Sequence, residues 1–546
     1  MLKRPYGIAI KQLPVKLLFL STFFIILTAC SSGNIINTTP SRTPATSQVL
    51  RFPNVGITNI AVLDPALGPD ANSLLAVNMI YSGLVRSDKD LNVVPDQATW
   101  RVSADGKTYT FTLRPGITFS DGTPVTAQSY VYTWTRALLP ALGSPVAFFF
   151  EGPIVGSSDV ANGKTKVLTG VQALDDHTLQ VTLTQPAPYF LQALTSWLFF
   201  PLNEKLIKQY GDKNWTLHAA GSGIGTGPFM VKEWDQNVKM VLVPNPHYYG
   251  NKTKLTEVDM TFVSDPSTAF KSYRANQYDF VWNISATDQQ TAQGMPGFMR
   301  TPLLQTDLLF FDNSKPPFDK AEVRQAFAYA LDRTTLVHAI FKDSVASAPT
   351  IIPPGMPGYQ SDYQGLSYDA NKAKSLLQQV YPDVTKVPPI TFSYPSSQVT
   401  SQEAVALQQM WQTALGIQVK LNAVELTAYN DQTAKRQIQF GFTQWSADFP
   451  DPYDWLYLNL LSTAQNNNGL WHNPRFDQTL KRAETLTGDE RIKLYNQAEQ
   501  IAIADVGWLP IDHQALAAVI PPTVHGITLN GLGLFFGDWS GVYLSQ

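Results

Sequence analysis

The sequence predicts a mixed α/β (or α+β) chain built from more than one domain. At 546 residues it is longer than one hydrophobic core organises, so two or three domains are expected. From Val49 onward, strand-like runs of period two alternate with helix-like runs of period near 3.6. No block recurs at a fixed period, which sets repeat architectures aside.

In chain order, the first readable segment is the N-terminus. Lys3, Arg4, Lys11 and Lys16 precede an apolar run of eleven, Leu17 to Leu27. A bilayer span needs about 20 apolar residues, so this run predicts a signal peptide, residues 1–29. "LTAC", Leu27 to Cys30, follows directly and resembles the bacterial lipobox, which implies cleavage before Cys30 and lipid attachment to its sulfur. Cys30 is the sole cysteine, so no intramolecular disulfide is possible. Loss of the four positive charges of residues 1–29 takes the net charge from −3 to −7. Residues 30–48 are rich in Ser, Thr and Pro and predict a flexible tether.

Within the body, "KTYTFTLRPG" (Lys107 to Gly116), "TLQVTLTQP" (Thr178 to Pro186) and "VKMVLVPNP" (Val238 to Pro246) alternate as half-buried strands. Thr126 is placed to cap a helix running through "YVYTWTRAL". Asp319 to Phe341 carries Val323, Phe327, Ala330 and Leu331 at helical spacing and predicts one long helix. "SQEAVALQQMWQTALG" ends in Gly416 and leads into "IQVKLNAVEL", a helix-to-strand step.

Composition narrows the function. Charged residues are 15% and aromatics 12%, and the low net charge gives no reason to expect nucleic acid. There is no GxSxG elbow, "GSGIGTGPF" lacks the dinucleotide-binding spacing, and "NGKT" (Asn162 to Thr165) lacks the earlier glycine of a phosphate loop. The seven histidines contain no H-x-x-x-H pair, so neither metal nor cofactor is expected. The densest constellation is "WSADFPDPYDW", Trp445 to Trp455, with Asp448, Asp451 and Asp454 among aromatic rings. Two such acids could run glycosidase chemistry. Alternatively, Asp451-Pro452 starts a turn, Asp454 caps the following helix, and Asp448 is left as a socket for a ligand's positive charge.

Ordered segments then point to a family. Tyr81 to Trp134, Ala173 to Phe190, "GTGPFMVKEW" (Gly225 to Trp234), "NPHYYGNKTKL" (Asn245 to Leu255), "PPFDKAEVRQAFAYALDR" (Pro316 to Arg333), "IPPGMPGY" (Ile352 to Tyr359) and Trp445 to Trp455 together resemble the family 5 extracellular solute-binding proteins of ABC importers. The likeness runs from about residue 50 to the end and is strongest to the oligopeptide binders.

That resemblance implies a two-lobed clamp with an extra inserted domain. Lobe I would comprise 49–81, 206–305 and 518–546, the inserted domain 82–205, and lobe II 306–517. It implies a monomeric, exported, non-enzymatic lipoprotein that hands oligopeptides to permease subunits and is held to the membrane through Cys30. Asp448, in the W-x-A-D position, would pair with the ligand's α-ammonium. Gln444 and Ser446 would offer main-chain groups to the peptide, and Trp445 would wall a side-chain pocket. Certain oligopeptide binders carry arginine three residues before that Trp, to catch the peptide carboxylate; here the position is Phe442. Some members bind oligosaccharides, nickel or opines, which keeps a sugar ligand open beside peptide. A hydrolase using Asp448 and a second acid is the alternative of a different class.

Overall fold

The structure is a computed structural model that describes residues 45–68, 70–534 and 538–546. The signal segment and Cys30 lie outside the described residues. Ala45 and Gln48, read in the sequence as the end of the tether, are part of the folded body: Ala45 N–H donates to Leu544 O (3.0 Å) and Gln48 Nε2 to the same carbonyl (2.9 Å). They find partners because the start of the described body meets its C-terminal strand there, which composition alone does not show.

Three larger sheets organise the body. A four-stranded sheet places Val49–Val55 parallel to Glu257–Val263, followed by Lys239–Pro244 and Phe229–Asp235. A second four-stranded sheet is antiparallel throughout, in the order Ala98–Val102, Thr108–Leu113, Thr178–Thr182, Val171–Asp175. The alternation read in the sequence is the cause: Tyr109, Phe111 and Leu113 are buried while their neighbours face outward. The third sheet has seven strands. At its centre Phe298–Phe311 lies between Leu509–Val519 and Phe440–Ser446, and Ile390–Pro395 and Val419–Val424 continue it.

One face of the seven-stranded sheet is covered by the helix Gln398–Leu415, whose Ala404, Leu407 and Trp411 pack on Leu309, Phe311, Phe440 and Phe442. That helix ends as expected at Gly416, in the left-handed conformation (φ +71°), before the Val419–Val424 strand. Residues 319–341, expected as one helix, are divided. Ala321–Tyr329 stops, Asp332 caps Arg333–Leu336 by accepting from Thr335 N–H (3.0 Å), and a π turn follows at Val337–Phe341. The Asp332 side chain offers the backbone N–H a partner that restarts the helix, while the apolar spacing carries across the break.

The glycines of "GSGIGTGPF" have a packing role. A Cβ on Gly225 would sit 2.1 Å from the Ile80 carbonyl oxygen, and one on Gly227 2.6 Å from that of Met79. Between them, Thr226 Oγ1 accepts from Gln97 Nε2 (3.0 Å) in a buried network with Ser82. Gly225→Ala is therefore expected to lower the urea midpoint, by about 1–3 kcal/mol of overpacking. Gly294→Ala, with nothing within 4 Å, is the matched control and should stay within about 0.5 kcal/mol.

Candidate functional site

The covered sheet face continues past the end of its helix. On that face Gln305, Asp307 and Leu309 follow one another at every second position, and opposite them across the ladder stand Ser446, Gln444 and Phe442. Where the helix no longer covers it, the sheet floors a cavity of about 370 Å³. Asn72, Leu75 and Asn78 of the helix Ala71–Ile80 form the facing wall, with Trp197, Trp282 and the turn at Gly531–Gly533 around the rim. Gln305, Gln444, Ser446, Asp448 and Gln514 supply much of the polar lining.

Asp448 is the only charged residue lining this cavity among the described residues. It is half-buried in a chain segment whose next eight residues, Phe449 to Leu456, are buried throughout. No hydrogen bond or ion pair reaches its carboxyl from the described residues, and burial pushes its pKa up to about 7. The charged form is thus costly until something positive arrives.

The loop carrying it is fixed by the other two aspartates. Asp454 is completely buried, and its Oδ2 accepts from the Asp448 backbone N–H (3.1 Å) and from Trp445 Nε1 (3.2 Å). Asp454 was expected to cap the following helix; instead it lies within a π turn, Tyr453–Tyr457, and faces back onto the loop. Burial, then the nearby Asp448 carboxyl, hold its pKa well above the usual range, so it keeps its proton. Asp451 does start a turn, accepting from Tyr453 N–H (2.9 Å), and it also forms a two-pronged ion pair with Arg491 at 2.8 Å on each arm.

The remaining expected residues divide. Gln444 and Ser446 line the cavity. Trp445, on the opposite side of the strand, is not among the lining residues; its indole packs on the core and serves Asp454. Phe442 is buried, with no cation in its place. On the side away from Phe298–Phe311, Ile390–Pro395 pairs only with Phe440 and Gly441. Thr443 to Ser446 therefore has no strand partner there among the described residues. Sequence reasoning missed Gln305, Gln514, Trp197, Trp282 and the 531–533 turn, which come from distant segments. Gln514 carried one signal, as the last of three polar residues, Asp512 to Gln514, inside a strand that is apolar on either side of them.

Comparisons with known proteins bear on this arrangement. The family model described as "Bacterial extracellular solute-binding proteins, family 5 Middle" matches residues 92–467. The chain belongs to this family. It is 28% identical to the oligopeptide-binding protein OppA of Bacillus subtilis over 528 residues, covering 94% of this chain and 96% of that one. It is 31% identical to the probable deoxycholate-binding periplasmic protein YgiS of Escherichia coli over 504 residues, 90% and 93% of the two chains. The solved structure of the E. coli murein tripeptide binding protein MppA superposes with a TM-score of 0.82 at 29% identity, covering 92% of this chain and all of that one. The fold of this family 5 protein is accordingly the two-lobed clamp of those binders.

The buttress can be tested directly. Asp454→Ala leaves the Trp445 and Asp448 N–H groups without an acceptor and should cost about 1–3 kcal/mol in chemical denaturation. Asp454→Asn keeps an acceptor oxygen in a site that already holds a neutral acid, and should cost much less.

Proposed function

We propose that this family 5 protein captures oligopeptides in the 370 Å³ cavity, with the Asp448 carboxylate pairing the peptide α-ammonium, and delivers them to an ABC permease without chemical turnover. The observation that carries this reading is the isolation of Asp448: among the described residues it has no partner and is alone in charge on the cavity wall. The open side of Thr443–Ser446 supports main-chain pairing with an extended peptide, which gives affinity regardless of side chains. With Phe442 buried in the core, the peptide carboxylate meets amides and backbone rather than a cation.

Other ligands fit less well. Trp197 and Trp282 are only 5% and 8% exposed, which leaves little ring face for a sugar to stack on. An anionic amphiphile such as a bile acid would bring its charge toward Asp448. A glycosidase needs a second acid in the cavity, and Asp454 is sealed behind the wall. The relatives, too, are named for binding.

We assign 49–81, 206–305 and 518–546 to lobe I, 82–205 to an inserted domain and 306–517 to lobe II. Each four-stranded sheet draws its strands from one of the first two, and most of the seven-stranded sheet comes from the third. We further assign export and lipid anchoring through Cys30 on the strength of "LTAC". No helix among the described residues is long and apolar enough to cross a membrane.

Calorimetry with tripeptides tests the socket. Asp448→Ala should weaken binding by about 2–5 kcal/mol; unchanged affinity would remove the ammonium pairing. Binding requires the Asp448 anion, which the empty site holds only above about 7. Affinity should therefore fall about tenfold per pH unit below 7, and fall again above about 8 as the peptide amine loses its proton. The empty protein responds oppositely. Its Asp448 proton is bound more tightly folded than unfolded, so this contribution to stability is full below the ordinary 3.8 and is lost as pH rises through about 7.

A further inference from the structure

Behind the cavity floor lies a second group of acids that the ammonium socket does not use. Asp307, Glu403 and Asp512 are 6%, 2% and 0% exposed. Asp307 and Asp512 face each other across the ladder, and Glu403 looks onto them from the covering helix Gln398–Leu415. Each has a buried carboxyl oxygen with no partner: Asp307 Oδ1, Glu403 Oε1 and Asp512 Oδ2. No basic side chain pairs with any of the three among the described residues, and no cluster of described His, Cys, Asp and Glu residues is arranged to hold a metal ion.

The acids are connected to the cavity through amides. Gln514 Nε2 donates to Asp307 Oδ2 (2.9 Å) and to Asp512 Oδ1 (2.6 Å). Gln444 stands opposite Asp307 across the ladder and Gln305 lies two residues before it, and all three glutamines line the cavity. With the NH₂ group of Gln514 turned to both acids, its Oε1 has no hydrogen-bond partner among the described residues and is available to the cavity. A cavity wall of amides backed by carboxyls is polarised to receive a donor with positive charge.

We propose that this amide wall, backed by Asp307, Asp512 and Glu403, is a subsite for a cationic side chain of the cargo, the ammonium of lysine or the guanidinium of arginine. The subsite is separate from Asp448 and rests on the peptide reading above. Burial favours the protonated acids while the subsite is empty, raising Asp307 to about 7 and the others well above their usual range, so the arriving cation displaces one proton to solvent and supplies the counter-charge for the anion left behind.

The test uses the mature protein and tripeptides with lysine or Nε-acetyl-lysine at each position in an alanine background. The two side chains share the same aliphatic stem and differ by the charge. At one position free lysine should bind about tenfold tighter, the difference between a charge-assisted and a neutral hydrogen bond. In Asp307→Asn/Asp512→Asn that ratio should fall to about one, with folding checked by thermal melting; Glu403→Gln, which removes one acid from the edge of the group, should lower it in part. A ratio of about one at every position in the unaltered protein overturns the subsite and needs no variant. A ratio that survives both variants overturns its assignment to these acids. If trialanine binds and lysine gives no preference, the subsite alone fails; if no peptide binds, the peptide reading fails and the subsite with it.

Discussion

The site depends on one unpaired carboxylate. A charge taken out of water costs several kcal/mol unless something compensates it, and no described residue pairs with the Asp448 carboxyl at the cavity wall. The cost shows in the empty state as a raised pKa, and the proposed ammonium pairing would relieve it. Asp454 makes this arrangement stable. Two carboxylates so close cannot both ionise cheaply. The fully buried one keeps its proton and uses its oxygen to anchor the loop, while the half-exposed one faces the cavity. Burial thus assigns different roles to two chemically identical side chains six residues apart in sequence.

Topology explains why the cavity lies where it does. A sheet face covered by a helix is apolar for as long as the helix lasts, here Leu309, Phe311, Phe440 and Phe442. Beyond the helix the same face must become polar, and Gln305, Gln444, Ser446 and Gln514 are the residues at that margin. The strand bearing Asp448 also loses its parallel neighbour after Gly441. One structural event, the sheet outrunning its cover, therefore yields both a polar floor and an open strand edge. Such an edge is ordinarily a liability for association; at the bottom of a cavity it becomes a place for an extended ligand.

Period-two strands were legible because one buried face imposes the alternation, as at Tyr109, Phe111 and Leu113. Asp448 was legible because acids among aromatic rings are costly without a function. The acids behind the floor were not, though each leaves a trace: Asp307 interrupts "LLQTDLLFF", Asp512 interrupts "LPIDHQAL", and Glu403 shares a helix face with Ala404 and Leu407. A short polar interruption of an apolar run has many bland explanations, and only the fold brings the three acids together. The break at Ala330–Asp332 was hidden for the opposite reason. Its apolar spacing continues through the interruption, and a side-chain cap is visible only once the backbone is seen.

The loop from Trp445 to Tyr457 is held from both sides, and this is what leaves Asp448 free to be aimed. On the inside, Asp454 ties down Trp445 and the Asp448 backbone. On the outside, Arg491 grips Asp451, and Tyr189, from the segment between the second sheet and the Trp197 turn, stacks on Tyr453 with ring centroids 3.8 Å apart. Tyr189 also approaches Phe449. Every side chain from Phe449 to Leu456 is thereby committed to the protein. Rigidity around an uncommitted group is the form that preorganisation takes here: the ordering cost of the loop is met in folding, so that under the proposed pairing the ligand's binding energy would go to neutralising one charge.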